Sequence, residues 1–165
     1  RIIVATLVAS VLLDASSVVA EGMQVRAAVS AACNSVFDIR SAEALEALFG
    51  KPTRDEVKSE LDQHSGQYEV ESHHATFPTA EAWFAFAEAM GPALQWERFS
   101  LTKSGSRIAP QVWIGESLSE ASSTLGSPDR TSGDRAYYDC DETRDLVLVL
   151  NSNTIVAIEW IGYLD

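Results

Sequence analysis

From Val25 onward, apolar residues fall at positions 25, 28, 29, 32, 33, 36 and 37, the spacing of one face of a helix. Cys33 lies on that stripe. A second helix is predicted over Ser41 to Phe49, capped by Ser41 and stopped by Gly50 and Pro52. Thr53 to His64 reads as a third, because Asp55 and Glu56 in a first turn suit the positive end of a helix dipole. Tyr68 to Phe77 predicts a strand. Thr79 to Met90 reads as another helix, with Thr79 as cap, Glu81 in the first turn and Gly91-Pro92 as the stop. Trp83, Phe84, Phe86, Ala87 and Met90 would then be its core stripe.

Beyond that point the pattern turns to strands. Leu94 to Leu101 and Arg107 to Ile114 flank a Lys-Ser-Gly-Ser turn. Ser117 to Leu125 interrupts them as a helix whose Ser117 and Glu120 make a capping box, with Gly126 and Pro128 ending it. Ala136 to Cys140, Leu146 to Leu150 and Thr154 to Ile161 follow as strands, the last two joined by a tight hairpin at Asn151-Ser152-Asn153. Alternation puts Val156, Ile158 and Trp160 on one face, making Trp160 core, and points Tyr137 and Tyr138 to opposite faces so that one can be exposed. These elements predict an α+β fold, helices packed on an antiparallel sheet, with a tandem of two helix-plus-meander modules as a further option. Residues 21–106 form a helix-rich N-terminal half and 107–165 a helix plus antiparallel sheet module, together one compact domain.

Ser41 to Pro52 and Ser117 to Pro128 match at the cap, two apolar positions, the glycine and the proline, 76 residues apart. Any short amphipathic helix with a strong start and a hard stop shows this pattern, and the segments that follow align poorly. The second copy carries more. Gly115-x-Ser117, then Ala121, Leu125, Gly126 and Pro128, followed by Tyr137-Tyr138 and a hairpin, resembles the small SmpA/OmlA-type outer-membrane assembly lipoproteins. In that family a G-x-T helix ends in L-G-x-P and leads into an antiparallel sheet. The same module in tandem builds the β-lactamase inhibitory proteins, which are similar in size. The resemblance covers Val112 to Trp160, and in the first half only Ser41 to Pro52. Glu116 stands where the family usually has Met, and no lipid-bearing cysteine is evident, so no stable membrane anchor is implied. What the resemblance implies is mainly fold.

The chain begins with an apolar run, Ile2 to Leu13, of the length of a signal-peptide core and shorter than the roughly 20 residues a membrane helix needs. Val18-Val19-Ala20 before Glu21 fits a small-x-small cleavage site. Residues 1–20 are therefore expected to be a signal peptide, with a buried strand or helix of the domain as the alternative. Across 165 residues, 12 Lys+Arg stand against 24 Asp+Glu, a formal net charge of −12 that trimming the leader leaves unchanged. Such an acidic chain repels the nucleic-acid backbone, which excludes nucleic acid as a partner. The apolar fraction of 46% excludes global disorder. The expected location is periplasmic or secreted.

Cys33 and Cys140 are the only cysteines. In an exported protein they suggest a disulfide closing a loop of about 107 residues; two buried free thiols are the alternative. His64, His73 and His74 are the only histidines, and His73-His74 in a strand point to opposite faces, so they cannot share a metal. Asp139, Asp141 and Asp145 are spaced like a calcium loop, but the expected glycine is missing and Leu150 stands where the twelfth-position glutamate belongs. An exposed acidic turn is the simpler reading. There is no G-x-S-x-G, H-E-x-x-H, P-loop or G-x-G-x-x-G, so no cofactor is expected and the reading leans away from an enzyme. What remains is surface. Trp113, Tyr137, Tyr138, Asp139, Asp141 and Glu142 combine aromatic anchors with steering charge, as a protein-binding face requires. The expected function is an exported, non-catalytic domain that binds another, basic, protein as an inhibitor, immunity-type protector or envelope-assembly accessory. A small periplasmic hydrolase or ligand-binding protein, with a site formed only in three dimensions, is the alternative.

Overall fold

The computed structural model describes residues 22–61, 68–87, 94–103, 107–108 and 112–163. The expected leader and His64 lie outside them. Among the described residues there are three helices, α1 (22–37), α2 (Ala42–Phe49) and α3 (Leu118–Leu125). The strands are β1 (Arg54–Leu61), β2 (Glu69–Thr76), β3 (Ala80–Ala87), β4 (Gln95–Leu101), β5 (Arg107–Ile108), β6 (Val112–Trp113), β7 (Arg130–Ser132), β8 (Arg135–Asp141), β9 (Arg144–Asn151) and β10 (Thr154–Gly162). Eight of them form one antiparallel sheet in the order β1-β2-β3-β4-β10-β9-β8-β7, and β5 and β6 make a separate small pair.

The expected α+β class is thereby corrected. Strand accounts for 50% of the described residues and helix for 26%, so the fold is β-rich. Two predicted helices are strands. Thr53 to His64 contains β1, an edge strand whose eight residues are all exposed; its acidic start mimicked a helix N-terminus, and no apolar stripe was present to decide. Thr79 to Met90 contains β3, where Ala80, Ala82 and Phe84 are buried and Glu81 and Trp83 are half-buried, a period of two. Alanine-rich composition favours a helix locally, but strands β2 and β4 pair with both sides of this segment and override it. The half expected to be helix-rich therefore supplies β1–β4. Arg107 to Ile114 contains the short strands β5 and β6 in place of one longer strand, and β7 is a strand the pattern did not predict. Val156 leaves the face of Ile158 and is exposed because a β-bulge lies between Ile155 and Ala157.

Other local signals hold. Ser41 accepts from the Ala44 N–H at 3.2 Å to cap α2. Ser117 accepts from the Glu120 N–H at 3.2 Å while the Glu120 carboxylate accepts the Ser117 N–H at 2.8 Å, the reciprocal capping box. Gly115-Glu116-Ser117 is a strap on β10: the Gly115 N–H donates to Ile155 O and the Ile155 N–H to Glu116 O, both at 2.8 Å. That gives the glycine-x-serine motif a structural job. Ser152 and Asn153 both take positive φ, 49° and 71°, as a two-residue hairpin turn requires.

All three helices pack on one face of the sheet. Ala32, Cys33, Val36 and Phe37 of α1 join Phe99, Leu146, Leu148, Ile158 and Trp160 in the core. The indole N–H of Trp160 donates to Ala32 O at 2.9 Å and that of Trp96 to Ile39 O at 3.1 Å. A disulfide joins Cys33 of α1 to Cys140 of β8. At the centre, β4 meets β10 with Phe99 opposite Trp160 and Arg98 opposite Ile161. The approach is close enough that a Cβ at Gly162 would collide with the Trp96 carbonyl oxygen. No described helix is long and apolar enough to cross a membrane.

Replacing both cysteines, Cys33→Ser with Cys140→Ser, releases a 107-residue loop. The expected loss is about 2–5 kcal/mol in reversible urea unfolding followed by tryptophan fluorescence. An unchanged midpoint would show that α1 is held by packing alone.

Candidate functional site

Cross-strand partners share a face, so the register identifies what the helices leave uncovered. On that open face stand Trp83 of β3, Arg98 of β4, Glu159 of β10, Val147 of β9 and Tyr137 of β8, in rows set by the pairing. Two carboxylates there are almost fully buried, Glu159 at 4% exposure and Asp145 at 3%. A buried carboxylate needs compensation, and arginines provide it. Glu159 takes Arg98 on one oxygen and Arg135 on the other, the latter at 2.6 Å. Arg135 sits opposite Val149 and Glu159 opposite Val147, so the Arg135 stem crosses β9 to reach its partner. Its methylenes roof the apolar strand beneath, as long cationic side chains do. Asp145 accepts Arg130 Nη2 at 2.5 Å and the Tyr163 hydroxyl at 2.7 Å. Arg130 also reaches Asp139 at 2.9 Å and lies 4.3 Å over the Tyr137 ring.

The same chemistry continues toward β1. Arg98 lies 5.1 Å over the Trp83 ring, and His74 stacks on the same indole at 4.5 Å with 14° between planes. The result is one band of stacked rings and paired guanidinium groups, from His74 and Trp83 through Arg98, Glu159 and Arg135 to Tyr137 and Arg130. Hydrogen bonding to Asp145 and Glu159 raises the pKa of Arg130 and Arg135 above their ordinary value. The Tyr163 phenol is also pushed up, first by its hydrogen bond to Asp145 and then by burial.

No family model, curated protein or solved structure matches the chain.

Of the residues expected at a binding face, Tyr137 and Asp139 lie on the band. Tyr138 does not. It is 1% exposed on the helix face, donates to Gly126 O at 3.2 Å, and has its phenol pKa raised by burial. It is a core residue and takes no part in the open surface. Asp141 and Glu142 sit at the β8–β9 turn, where Asp141 accepts the Thr143 N–H at 2.9 Å and Arg144 Nε at 2.6 Å. The Arg144 bond holds the Asp141 pKa below the usual carboxylate value. Trp113, 38% exposed, is on β6, outside the main sheet. The calcium arrangement is not formed. Asp139 and Asp145 share Arg130, Asp141 holds Arg144, and among the described residues no three possible ligands converge on a metal position.

His73 and His74 point to opposite faces: His73 pairs with Asp55 at 3.1 Å on the helix side, and His74 lies 3.9 Å from Glu81 on the open side. The residues the sequence pattern missed are Trp83, Arg98, Arg130, Arg135, Glu159 and Tyr163. Trp83 was hidden by the helical reading of β3, Arg130 and Arg135 by side chains that act two strands away, and Arg98 by a partner 61 residues distant on the neighbouring strand. A separate cleft of about 620 Å³ lies between α1 and β8, lined by Val25, Arg26, Ser30, Leu125, Asp129 and Cys140 among others.

Tyr163 supplies a pH readout of the network. Its folded-state pKa stands above the unfolded value, so its stabilisation is complete below about pH 10 and is lost as pH rises through the folded value. Asp145→Asn is expected to return the phenol toward its ordinary pKa, read by ultraviolet absorbance of the phenolate. The same change should cost about 1–3 kcal/mol by leaving Arg130 and the hydroxyl poorly matched. An unshifted titration in Asp145→Asn would show that the hydrogen bond is not what holds the proton.

Proposed function

We propose that the chain is an exported, non-catalytic protein-binding domain that presents the open face of its sheet to a partner. The observation that carries this reading is the band itself. Trp, Tyr and Arg dominate binding energy at protein interfaces, and here Trp83, Tyr137, Arg98 and Arg130 are brought together and held by buried carboxylates. A disulfide supports an oxidising compartment, periplasmic or extracellular. The net charge of −12 favours encounter with a basic partner. The resemblance of Val112 to Trp160 to envelope-assembly and inhibitory modules points the same way, toward an inhibitor, an immunity-type protector or an assembly accessory.

Affinity capture from an envelope extract, with the tagged protein as bait, tests the face. Trp83→Ala, Arg98→Ala and Tyr137→Ala are each expected to weaken retention of a captured partner by about tenfold or more. Glu46→Ala on the exposed side of α2, on the opposite face of the sheet, serves as the comparison and should retain it. Retention unaffected by all three face variants would reject the open face as the binding surface.

A further inference from the structure

β1 ends the eight-stranded sheet, and on its outer side no described strand is paired with it. Its residues, Arg-Asp-Glu-Val-Lys-Ser-Glu-Leu, are all exposed. Charge on an edge strand blunts pairing with an arbitrary strand. These charges, however, are arranged symmetrically about Val57. In an antiparallel pair centred on that residue, Arg54 faces the partner's Glu60 and Glu56 faces the partner's Lys58, each contact occurring twice by symmetry. Asp55, which holds His73, faces the partner's Ser59, whose hydroxyl donates to Glu69 within its own chain, so this pair does not oppose the register. Val57, 48% exposed, meets the partner's Val57 on the axis.

We propose that β1 is a self-association edge, joining two copies of this chain antiparallel in the register that places Val57 on the two-fold axis. Outward N–H and C=O groups would then pair across the interface, extending the sheet through both molecules. A two-fold axis perpendicular to the sheet keeps like faces together, so alternative registers differ by steps of two residues. Centring on Glu56 sets Glu56 against the partner's Glu56 and Arg54 against the partner's Lys58. Centring on Lys58 sets Lys58 against the partner's Lys58 and Glu56 against the partner's Glu60. Both neighbouring registers oppose like charges, which destabilises strand pairing. Lys58 and Glu60 make no ion pair among the described residues, and Arg54 pairs with Glu56 only along its own exposed strand. The interface therefore gives four charges opposite partners without breaking a buried contact.

Analytical ultracentrifugation of the full chain tests this, at loadings from about 10 µM to about 1 mM. A reversible dimer is expected. Lys58→Glu places glutamates opposite each other twice, and Glu56→Lys does the same with lysines. Each single change is expected to raise the dissociation constant by about tenfold or more. Combining Glu56→Lys with Lys58→Glu re-forms both pairs with signs exchanged and should restore the dimer. All positions are exposed, and circular dichroism checks that each variant keeps the fold. A wild-type chain that stays monomeric throughout, a dimer insensitive to the single reversals, or a double variant that does not recover would each overturn the proposal.

Discussion

The structure depends on seating α1 over Trp160. That indole is fully buried in β10, the strand where the two four-stranded stretches of the sheet meet. Its N–H has no water to turn to, so a protein acceptor is obligatory. Ala32 of α1 provides it, and the next residue, Cys33, is covalently tied to β8. One helical turn is thus fixed to the middle of the sheet by a hydrogen bond and to its β8 side by a disulfide. Trp96, bonded to Ile39 just beyond the helix, adds a third point on β4. With α1 held at three strands, its apolar stripe covers the sheet, and α2 and α3 close the remaining core from either side through Phe49 and Leu125.

One covered face leaves the other to be accounted for. Half of a sheet facing water is commonly polar and alternating, yet Val147 on the open face is fully buried. Tyr137 and Glu159 flank it in register, and the Arg135 side chain spans β9 to reach Glu159. Glu159 and Asp145 receive the guanidinium groups of Arg98, Arg135 and Arg130. On a chain with a twofold excess of acidic over basic residues, three arginines are thus concentrated on one surface. Each is paired with a carboxylate on the same face, Glu159, Asp145 or Asp139, so the charge there is locally balanced.

Legibility followed the range of the interactions. α2 and α3 were readable because caps, glycine stops and apolar spacing all lie within twelve residues. The last hairpin was readable for the same reason. β3 was not, since Ala80-Glu81-Ala82-Trp83-Phe84-Ala85 suits a helix locally and becomes a strand only between β2 and β4. β1 carried no apolar stripe, so its state was set entirely by its pairing with β2. At the site, Tyr137 and Asp139 were found because they adjoin in sequence the strands already recognised. Arg98, Arg135 and Glu159 could not be, because they come together from β4, β8 and β10 across separations of 24 to 61 residues. Tyr138 was separated from Tyr137 by strand alternation, but which of the two faced the core depended on where α1 and α3 lie.

Burying Glu159 and Asp145 is not the route to the most stable sheet. Removing a carboxylate from water costs several kcal/mol, and well-packed apolar residues in place of a buried ion pair often do as well or better. What the carboxylates provide is position. A solvated arginine samples many rotamers and loses that freedom when it binds. Arg98 and Arg135 anchored on one carboxylate have lost part of it already, and Arg130 is fixed by two carboxylates and the Tyr137 ring. A surface organised in this way loses less entropy on contact than one of free side chains. Placing that organisation on the face opposite α1 also separates the two requirements. The core is set by Trp160 and the disulfide, while residues on the open face can change their partners in contact without loosening the side that holds the fold.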